Sequence, residues 1–187
     1  MNLELKLRIN EVCEGVEVNL NNFLYNVYYA EVASYKKFKV LIPVFTDLSL
    51  GDCITTDRWK LMYYKIDGAT DEFCLRIDKM EIVDSAGFKV SEYLNTKIVG
   101  MFLKSDKTSI RSIGPEQKPF YIATLKVRDA CSDTYEVPLI AFGKQALRLS
   151  TVKKASVIEA KVTIKERKND DGYEFAIVDF EVKKEIA

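Results

Sequence analysis

Two short apolar strings in this chain are nearly alike and lie 97 residues apart. Val40–Phe45 reads Val-Leu-Ile-Pro-Val-Phe, and Val137–Phe142 reads Val-Pro-Leu-Ile-Ala-Phe. Each string is the third in a series of strand-like segments, so the same order of segments occurs twice along the chain. The 187 residues are enough for two small domains. The repeat therefore predicts a duplicated module.

The first half contains five segments with the pattern of half-buried strands. Leu3–Asn10 alternates apolar and polar residues strictly, which places one face of the strand in a core. Leu48–Asp52 is predicted as a short helical or turn insert, with Gly51 as its stop signal. Asp67–Asp71 is predicted as the turn of the last hairpin. The predicted strands are Leu3–Asn10, Phe23–Ser34, Phe38–Phe45, Asp57–Ile66 and Phe73–Val83.

The second half repeats this order with a short helix, Lys144–Ser150, between its third and fourth strands. Its last hairpin is predicted to turn at Asn169–Gly172, because Asn, Asp and Gly tolerate positive φ. The predicted strands are Thr96–Leu103, Phe120–Arg128, Tyr135–Phe142, Ser156–Arg167 and Tyr173–Val182.

The order of five strands with a helix after the third is that of the OB fold. We therefore predict an all-β chain with short helices, folded as two tandem OB-fold five-stranded Greek-key barrels. The predicted domains are residues 1–86 and 91–187, with a small polar linker at Asp84–Gly87 and a short helical turn at Val90–Leu94.

The residue content argues against an enzyme. The chain has no histidine, which removes the usual general base and the commonest metal ligand. Its four cysteines form no C-x-x-C pair, and no Gly-rich phosphate loop is present. We expect no catalytic residues, no metal and no cofactor. Without a membrane-length apolar run or a signal-like start, the sequence also predicts a cytoplasmic protein with no membrane partner.

The charge differs between the two halves although the whole chain is neutral. Residues 1–91 contain 11 Lys and Arg against 14 Asp and Glu, whereas residues 92–187 contain 17 against 14. The second half is therefore predicted to be the better polyanion binder.

One string of the second half carries a family resemblance. Tyr135–Ala146 contains an apolar strand that runs into Phe142-Gly143-Lys144-Gln145-Ala146, and it resembles the third-strand signature of bacterial and phage single-stranded-DNA-binding proteins. The resemblance extends from about Lys97 to Val182. Two positions depart from the family pattern, because Glu136 and Arg167 stand where the family has aromatic residues. The resemblance implies binding of single-stranded DNA, and a two-barrel chain that forms a homodimer; physically, pairing of the two barrels within a monomer is the alternative.

The candidate binding residues are cations that could follow phosphates and aromatics that could stack on bases. For Phe142 and Trp59 the alternative is a core position, and for the β-strand lysines it is a solvated face. The nucleic-acid-binding candidates are Lys126, Arg128, Tyr135, Phe142, Lys144, Lys161, Lys165, Arg167, Lys168, Tyr173, Trp59 and Lys60.

The function predicted from these observations is sequence-tolerant binding of single-stranded DNA in replication, recombination or DNA transfer, alongside proteins of those processes. The alternative is a non-catalytic adaptor in which paired OB barrels hold a protein partner, as the zero net charge would favour. RNA is a third possibility, because no feature of the sequence separates it from DNA.

Overall fold

A computed structural model describes residues 4–33, 35–64, 72–103, 110–128, 134–166 and 173–185. These residues form eleven strands and one helix, in two compact units that divide between Leu94 and Asn95. The elements are β1 (Leu5–Leu20), β2 (Phe23–Val32), β3 (Tyr35–Pro43), β4 (Cys53–Tyr64), β5 (Glu72–Val83), β6 (Leu94–Leu103), β7 (Arg111–Ile113), β8 (Lys118–Arg128), β9 (Thr134–Phe142), α1 (Gly143–Ser150), β10 (Val157–Glu166) and β11 (Tyr173–Lys184).

The first unit is a closed barrel with the strand order β1-β2-β3-β5-β4. All its strand pairs are antiparallel except β3 with β5. The strict alternation at the start of β1 places Leu5, Leu7 and Ile9 in the core, with exposed fractions of 0–2%.

The second unit is a closed barrel of the same connectivity. Its sheet order is β6-β10-β11-β9-β8, the pairing of β6 with β8 closes it, and the short strand β7 adds to the free edge of β8. Closure depends on Gly100 in β6, because a Cβ atom there would lie 2.7 Å from the carbonyl oxygen of Lys126. The predicted fold class, two tandem OB barrels, is therefore confirmed.

The duplication extends to the hydrogen-bond register of the central hairpins. In the β2–β3 pair Tyr25 lies opposite Pro43, and in the β8–β9 pair Ile122 lies opposite Ile140. Adding 97 to each member of the first pair gives the second pair. The same shift relates the six pairs from Tyr25–Pro43 to Ala30–Phe38 to the six pairs from Ile122–Ile140 to Val127–Tyr135, and beyond Ala30 the β2–β3 register becomes irregular.

The predicted strand ends fall within four residues of the observed ones, except at the end of β1. β1 continues to Leu20, but its strict alternation stops near Asn10. The alternation is lost because two register irregularities bend the strand there. It then turns through Asn21 and Asn22, whose φ values of 51° and 68° suit a two-residue hairpin.

Two further features differ from the expectations. β7 was not predicted, because its three residues are too few to show a period. Leu48–Asp52 contains a turn at Leu50-Gly51, one of the two forms predicted for it, whereas the short helical turn predicted at Val90–Leu94 is not formed. The backbone at Ser91 is instead held by Lys6: Ser91 N–H donates to Lys6 O at 2.9 Å, and Lys6 N–H donates to Ser91 Oγ at 2.8 Å. The turns predicted at Asp67–Asp71 and Asn169–Gly172 lie outside the described residues.

Candidate nucleic-acid interface

The outer face of the β8–β9 hairpin brings together several of the predicted binding residues. Alternate residues of β8 point into the barrel core, and those between them share the outer face with their partners on β9. From one end to the other, the cross-strand pairs on this outer face are Phe120 with Phe142, Ile122 with Ile140, Thr124 with Pro138, Lys126 with Glu136, and Arg128 with Thr134.

One end of this face is aromatic and apolar. The Phe120 and Phe142 rings are stacked, with their centroids 6.5 Å apart and an angle of 29° between their planes. Phe142 and Ile122 are each 44% exposed. A pair of stacked rings with an open side is a surface on which a nucleic-acid base can stack.

The other end of the face carries two cations and one carboxylate. Lys126 and Arg128 are exposed, and neither forms an ion pair with a carboxylate of the described residues, although Glu136 lies directly opposite Lys126. Exposed cations of this kind are the groups that contact phosphates in nucleic-acid-binding proteins.

The short strand β7 extends the aromatic end. Its pairing with β8 places Arg111 directly opposite Phe120. All three residues of β7 are exposed. The aromatic pair therefore becomes a row of three side chains, Arg111, Phe120 and Phe142, across three neighbouring strands.

The chain turns sharply after Phe142, and this turn positions the aromatic ring at the end of the sheet. Phe142 has an extended backbone, with φ −123° and ψ 153°, and precedes the first residue of α1. The next residue, Gly143, has a φ of +56°, which glycine adopts without a steric cost. The predicted candidate Lys144 follows in the first turn of the helix and is exposed.

A polar cluster ties α1 to β11. Arg148 Nη1 lies 2.9 Å from Asp179 Oδ1, and Arg148 Nη2 donates to the Phe180 carbonyl oxygen at 3.1 Å. Gln145 Nε2 donates to the Val178 carbonyl oxygen at 3.1 Å. The hydrogen bond from Arg148 is the main cause of the lowered pKa of Asp179, and the backbone N–H of Phe180 adds to it.

The predicted basic edge of β10 is of mixed charge. Lys161 and Lys165 are both exposed, but Lys161 lies opposite Asp179 and Lys165 lies opposite Glu174. On the same strand Glu159 forms ion pairs with Lys97 at 3.2 Å and Lys183 at 3.7 Å. The pKa of Glu181 is lowered mainly by a hydrogen bond from Lys183, with a smaller contribution from the charge of Lys161. Arg167 and Lys168 lie outside the described residues.

The aromatic candidates other than Phe142 are less accessible. Tyr135 and Tyr173 are half-buried. Trp59 is only 2% exposed and lies opposite the buried Ile77, so it presents no ring face to a ligand and belongs to the core of the first barrel. Its neighbour Lys60 is exposed. The stacking expected of Trp59 is thus not supported by its position.

The equivalent face of the first barrel is closed. Tyr25, Val27 and Leu41, the counterparts of Ile122, Thr124 and Pro138, are 6%, 5% and 0% exposed. They form one buried cluster with side chains from β1, β4 and β5: Val18, Leu20, Met62 and Cys74.

Only the end of that face remains open in the first barrel. Phe23 and Phe45, the counterparts of Phe120 and Phe142, are 68% and 85% exposed. Phe23 lies opposite Leu20 of β1, which takes the place that Arg111 has in the second barrel. The first barrel therefore keeps both phenylalanines but not the cation beside the first of them.

Of the side chains on this face, the sequence analysis named Phe142, Lys126 and Arg128 as candidates and did not single out Arg111, Phe120 or Ile122. Phe120 and Ile122 carry a signal, because they have the same alternation on β8 as the predicted cations Lys126 and Arg128. Arg111 had no such signal, since its position depends on how β7 pairs with β8.

Neither a metal-holding cluster nor a membrane-spanning helix is found among the described residues. No three His, Cys, Asp or Glu residues of this part of the chain lie close enough together to hold a metal ion. No helix within the described ranges is long and apolar enough to cross a membrane.

The fold has relatives among solved structures. The single-stranded DNA binding protein from Thermus aquaticus superimposes with a TM-score of 0.61 over 98% of this chain and 94% of that one, at 11% sequence identity. A deletion mutant of the same protein gives a TM-score of 0.58 over 98% and 95% of the two chains, at 12% identity. No protein-family model and no curated protein matches the sequence. The chain thus has the tandem two-barrel fold seen in the single-stranded DNA binding protein of Thermus aquaticus.

Proposed function

We propose that this protein binds single-stranded DNA without catalysing a reaction, and that it does so through the outer face of β8–β9 in the second barrel. One observation carries this proposal: the stacked Phe120–Phe142 pair lies on the same exposed face as Lys126 and Arg128, which have no ion-pair partner among the described residues. Aromatic rings stack on any base, and cations follow any phosphate backbone. The binding is therefore expected to tolerate all sequences.

The distribution of charge between the two units also favours the second barrel as the binding unit. With the division at Leu94, the first unit contains 11 Lys and Arg against 15 Asp and Glu, and the second contains 17 against 13. The net charges of −4 and +4 direct a polyanion to the second barrel. The similarity in fold to a single-stranded DNA binding protein is consistent with this ligand.

Fluorescence anisotropy with labelled single-stranded DNA, duplex DNA and single-stranded RNA, each at two salt concentrations, tests the proposal. We expect tight binding of single-stranded DNA and much weaker binding of duplex, because bases in a duplex cannot stack on protein rings. Each phosphate contact should contribute a slope of about −0.7 to the log–log dependence of affinity on salt. Equal affinity for single strands and duplex would overturn the proposal, and a preference for RNA would change its ligand.

A pair of charge-reversal variants locates the site. K126E/R128E should reduce the salt slope by about 1.4, the loss of two phosphate contacts. The control K36E/K89E makes the same charge change at exposed positions of the first barrel and should behave like the unchanged protein apart from its net charge. Equal losses in the two variants would show that only net charge matters and would remove the proposed face.

The process and the assembly are also proposals. We propose a role in replication, recombination or DNA transfer, in the cytoplasm, together with proteins of that process. The assembly is a homodimer with four barrels, as the family resemblance implies; a two-fold contact is the commonest way for a chain to assemble. Light scattering tests it, because a monomer has a mass of 21.4 kDa and the dimer has about twice that mass.

A second candidate function, an adaptor that holds a protein partner, is favoured by the first barrel. Its open end carries Phe45 at 85% exposure, and Phe45 lines a cleft of about 230 Å³ together with Met80 and Ile82. Binding that does not depend on salt, or no binding of single strands at all, would support the adaptor over the DNA-binding function.

A further inference from the structure

Arg111 stands out among the cations of the second barrel because a separate small element holds it on the candidate face. β7 lies outside the five-stranded barrel and pairs only with β8 among the described strands. Residues directly opposite each other in an antiparallel pair share a face, with Cβ atoms about 4.5–5.5 Å apart. Arg111 therefore emerges on the same side of the sheet as the Phe120 ring.

The hairpin that presents Arg111 has a defined turn. Gly114 and Gln117 adopt positive φ values of 73° and 50°. The Gln117 backbone N–H donates to the Gly114 carbonyl oxygen at 3.1 Å, and Gln117 Nε2 donates to the same oxygen at 3.2 Å. These contacts fix the β7–β8 register, so the place of Arg111 beside Phe120 follows from the turn.

The charge of Arg111 is not neutralised by an ion pair among the described residues. The guanidinium forms no ion pair with any carboxylate of the described residues, whereas Lys118, in the same hairpin, is paired with Glu116 at 2.8 Å. The row Arg111–Phe120–Phe142 thus presents one available cation at the edge of two stacked rings.

We propose that Arg111, Phe120 and Phe142 form one composite subsite that holds a single nucleotide unit, with the phosphate at Arg111 and the base stacked on the two rings. This inference rests on the proposed function and adds to it a specific residue of β7. Arginine suits the role because its planar guanidinium donates two parallel hydrogen bonds to a phosphate group. The subsite also fixes how the strand lies here, with its backbone towards β7 and its bases towards β9.

The first barrel supplies a natural comparison for the test. Leu20 lies opposite Phe23 there, so R111L gives the second barrel the same leucine–phenylalanine cross-strand pair. R111L should reduce the salt slope of single-stranded DNA binding by about 0.7, the value for one phosphate contact. R111Q, which keeps a polar side chain and loses the charge, should give the same reduction. K154L is the control: it removes the charge of an exposed lysine in this unit that forms no ion pair with any described residue, and it should leave the slope unchanged.

Replacing the ring should have a different signature. F120A should weaken binding about tenfold, since stacking of one base contributes about 1–3 kcal/mol, while the salt slope remains that of the unchanged protein. If one nucleotide occupies the whole subsite, the R111L/F120A variant should lose less affinity than the product of the two single losses. Circular dichroism spectra identical to those of the unchanged protein establish that the variants fold.

The outcomes separate this inference from the proposed function. If the unchanged protein does not bind single strands, the proposed function itself fails. If it binds and K126E/R128E weakens binding, but R111L and R111Q leave the slope unchanged, the composite subsite is wrong and the function remains. Independent, multiplicative losses for Arg111 and Phe120 would also overturn the subsite, because they would place the two side chains on different nucleotides.

Discussion

The central hairpins of the two barrels share one register, but the outer face of this hairpin is buried in the first barrel and exposed in the second. In the first barrel Tyr25, Val27 and Leu41 are buried beneath side chains of β1, β4 and β5. In the second barrel the counterpart Ile122 is 44% exposed, and the cations that follow it along β8 are open. An identical backbone framework thus gives one closed and one open surface, and the difference lies in what the neighbouring segments place over it.

The cations of the face also differ position by position. Arg128 lies 97 residues after Glu31, which sits at the irregularity of the β2–β3 register and 3.9 Å from Arg8 in an ion pair. Lys126 corresponds to Tyr29, whose ring centroid is 4.7 Å from Lys37 Nζ. The first barrel therefore uses these positions for contacts within itself, whereas Lys126 and Arg128 form no ion pair among the described residues.

The largest expected effect is on isolated halves of the chain. A fragment from Ser91 to Ala187 should retain most of the affinity for single-stranded DNA, and a fragment of residues 1–90 should bind about 100-fold more weakly. The estimate takes two stacked bases at about 1.4 kcal/mol each. Titrations of both fragments measure it, after circular dichroism has established that each is folded. Equal affinities would break the comparison, and they would assign base stacking to Phe23 and Phe45.

The closed face should matter for stability and the open one should not. L41A removes a fully buried side chain from the cluster of the first barrel and should lower its free energy of unfolding by about 2–5 kcal/mol. I122A, on the open face of the second barrel, should change stability by about 0.5 kcal/mol or less. Trp59 is the single tryptophan of the chain and lies in the core of the first barrel, so its fluorescence reports the unfolding of that barrel. A small loss for L41A would mean that the face is not closed in solution.

The phenylalanines at the ends of the two faces provide a matched pair within the complete chain. F142A should weaken binding of single strands about tenfold, because it removes one member of the stacked pair. F45A should weaken it less than about twofold, since the first barrel has Leu20 where the second has a cation. The measurement is the ratio of the two dissociation constants in one buffer. A ratio near one would show that both barrels stack bases.

The smallest expected effect concerns acid stability and the helix of the second barrel. The pKa of Asp179 is lowered by the hydrogen bond from Arg148, so its stabilising contribution is present above the pKa of an unfolded aspartate, about 3.9, and is lost as the pH falls through the folded-state pKa. Both side chains are about half exposed, so solvent and salt screen the interaction.

The variant D179N should therefore show a slightly weaker dependence of melting temperature on pH below about 4 than the unchanged protein. The first barrel has a turn where the second has α1, so it has no equivalent of the contact between Asp179 and Arg148. The acid unfolding of the first barrel, followed by Trp59 fluorescence, should therefore be the same in D179N and in the unchanged protein. Identical acid profiles for the second barrel would show that the Asp179–Arg148 contact contributes nothing measurable.

The sequence by itself determined the five strands of each barrel, their order and their duplication, but not the short strand β7 or the full length of β1. The period of two along Leu5–Ile9, and the apolar strings that end at Phe45 and Phe142, depend on local pattern, and local pattern is what alternation reports. Lys126 and Arg128 were predictable as candidates for the same reason, because alternation places them on a face opposite to core residues. Phe142 was predicted from the resemblance of the string Phe142-Gly143-Lys144 to a family signature.

Only the tertiary structure decided which of the duplicated faces is open. Trp59 was a binding candidate on local pattern, and it is buried because of the partner strands around it. Arg111 had no pattern at all, and it lies beside Phe120 because a short hairpin folds back onto β8. Exposure depends on residues distant in sequence, such as Met62 and Cys74 in the cluster of the first barrel, and no periodicity within a single strand contains that information.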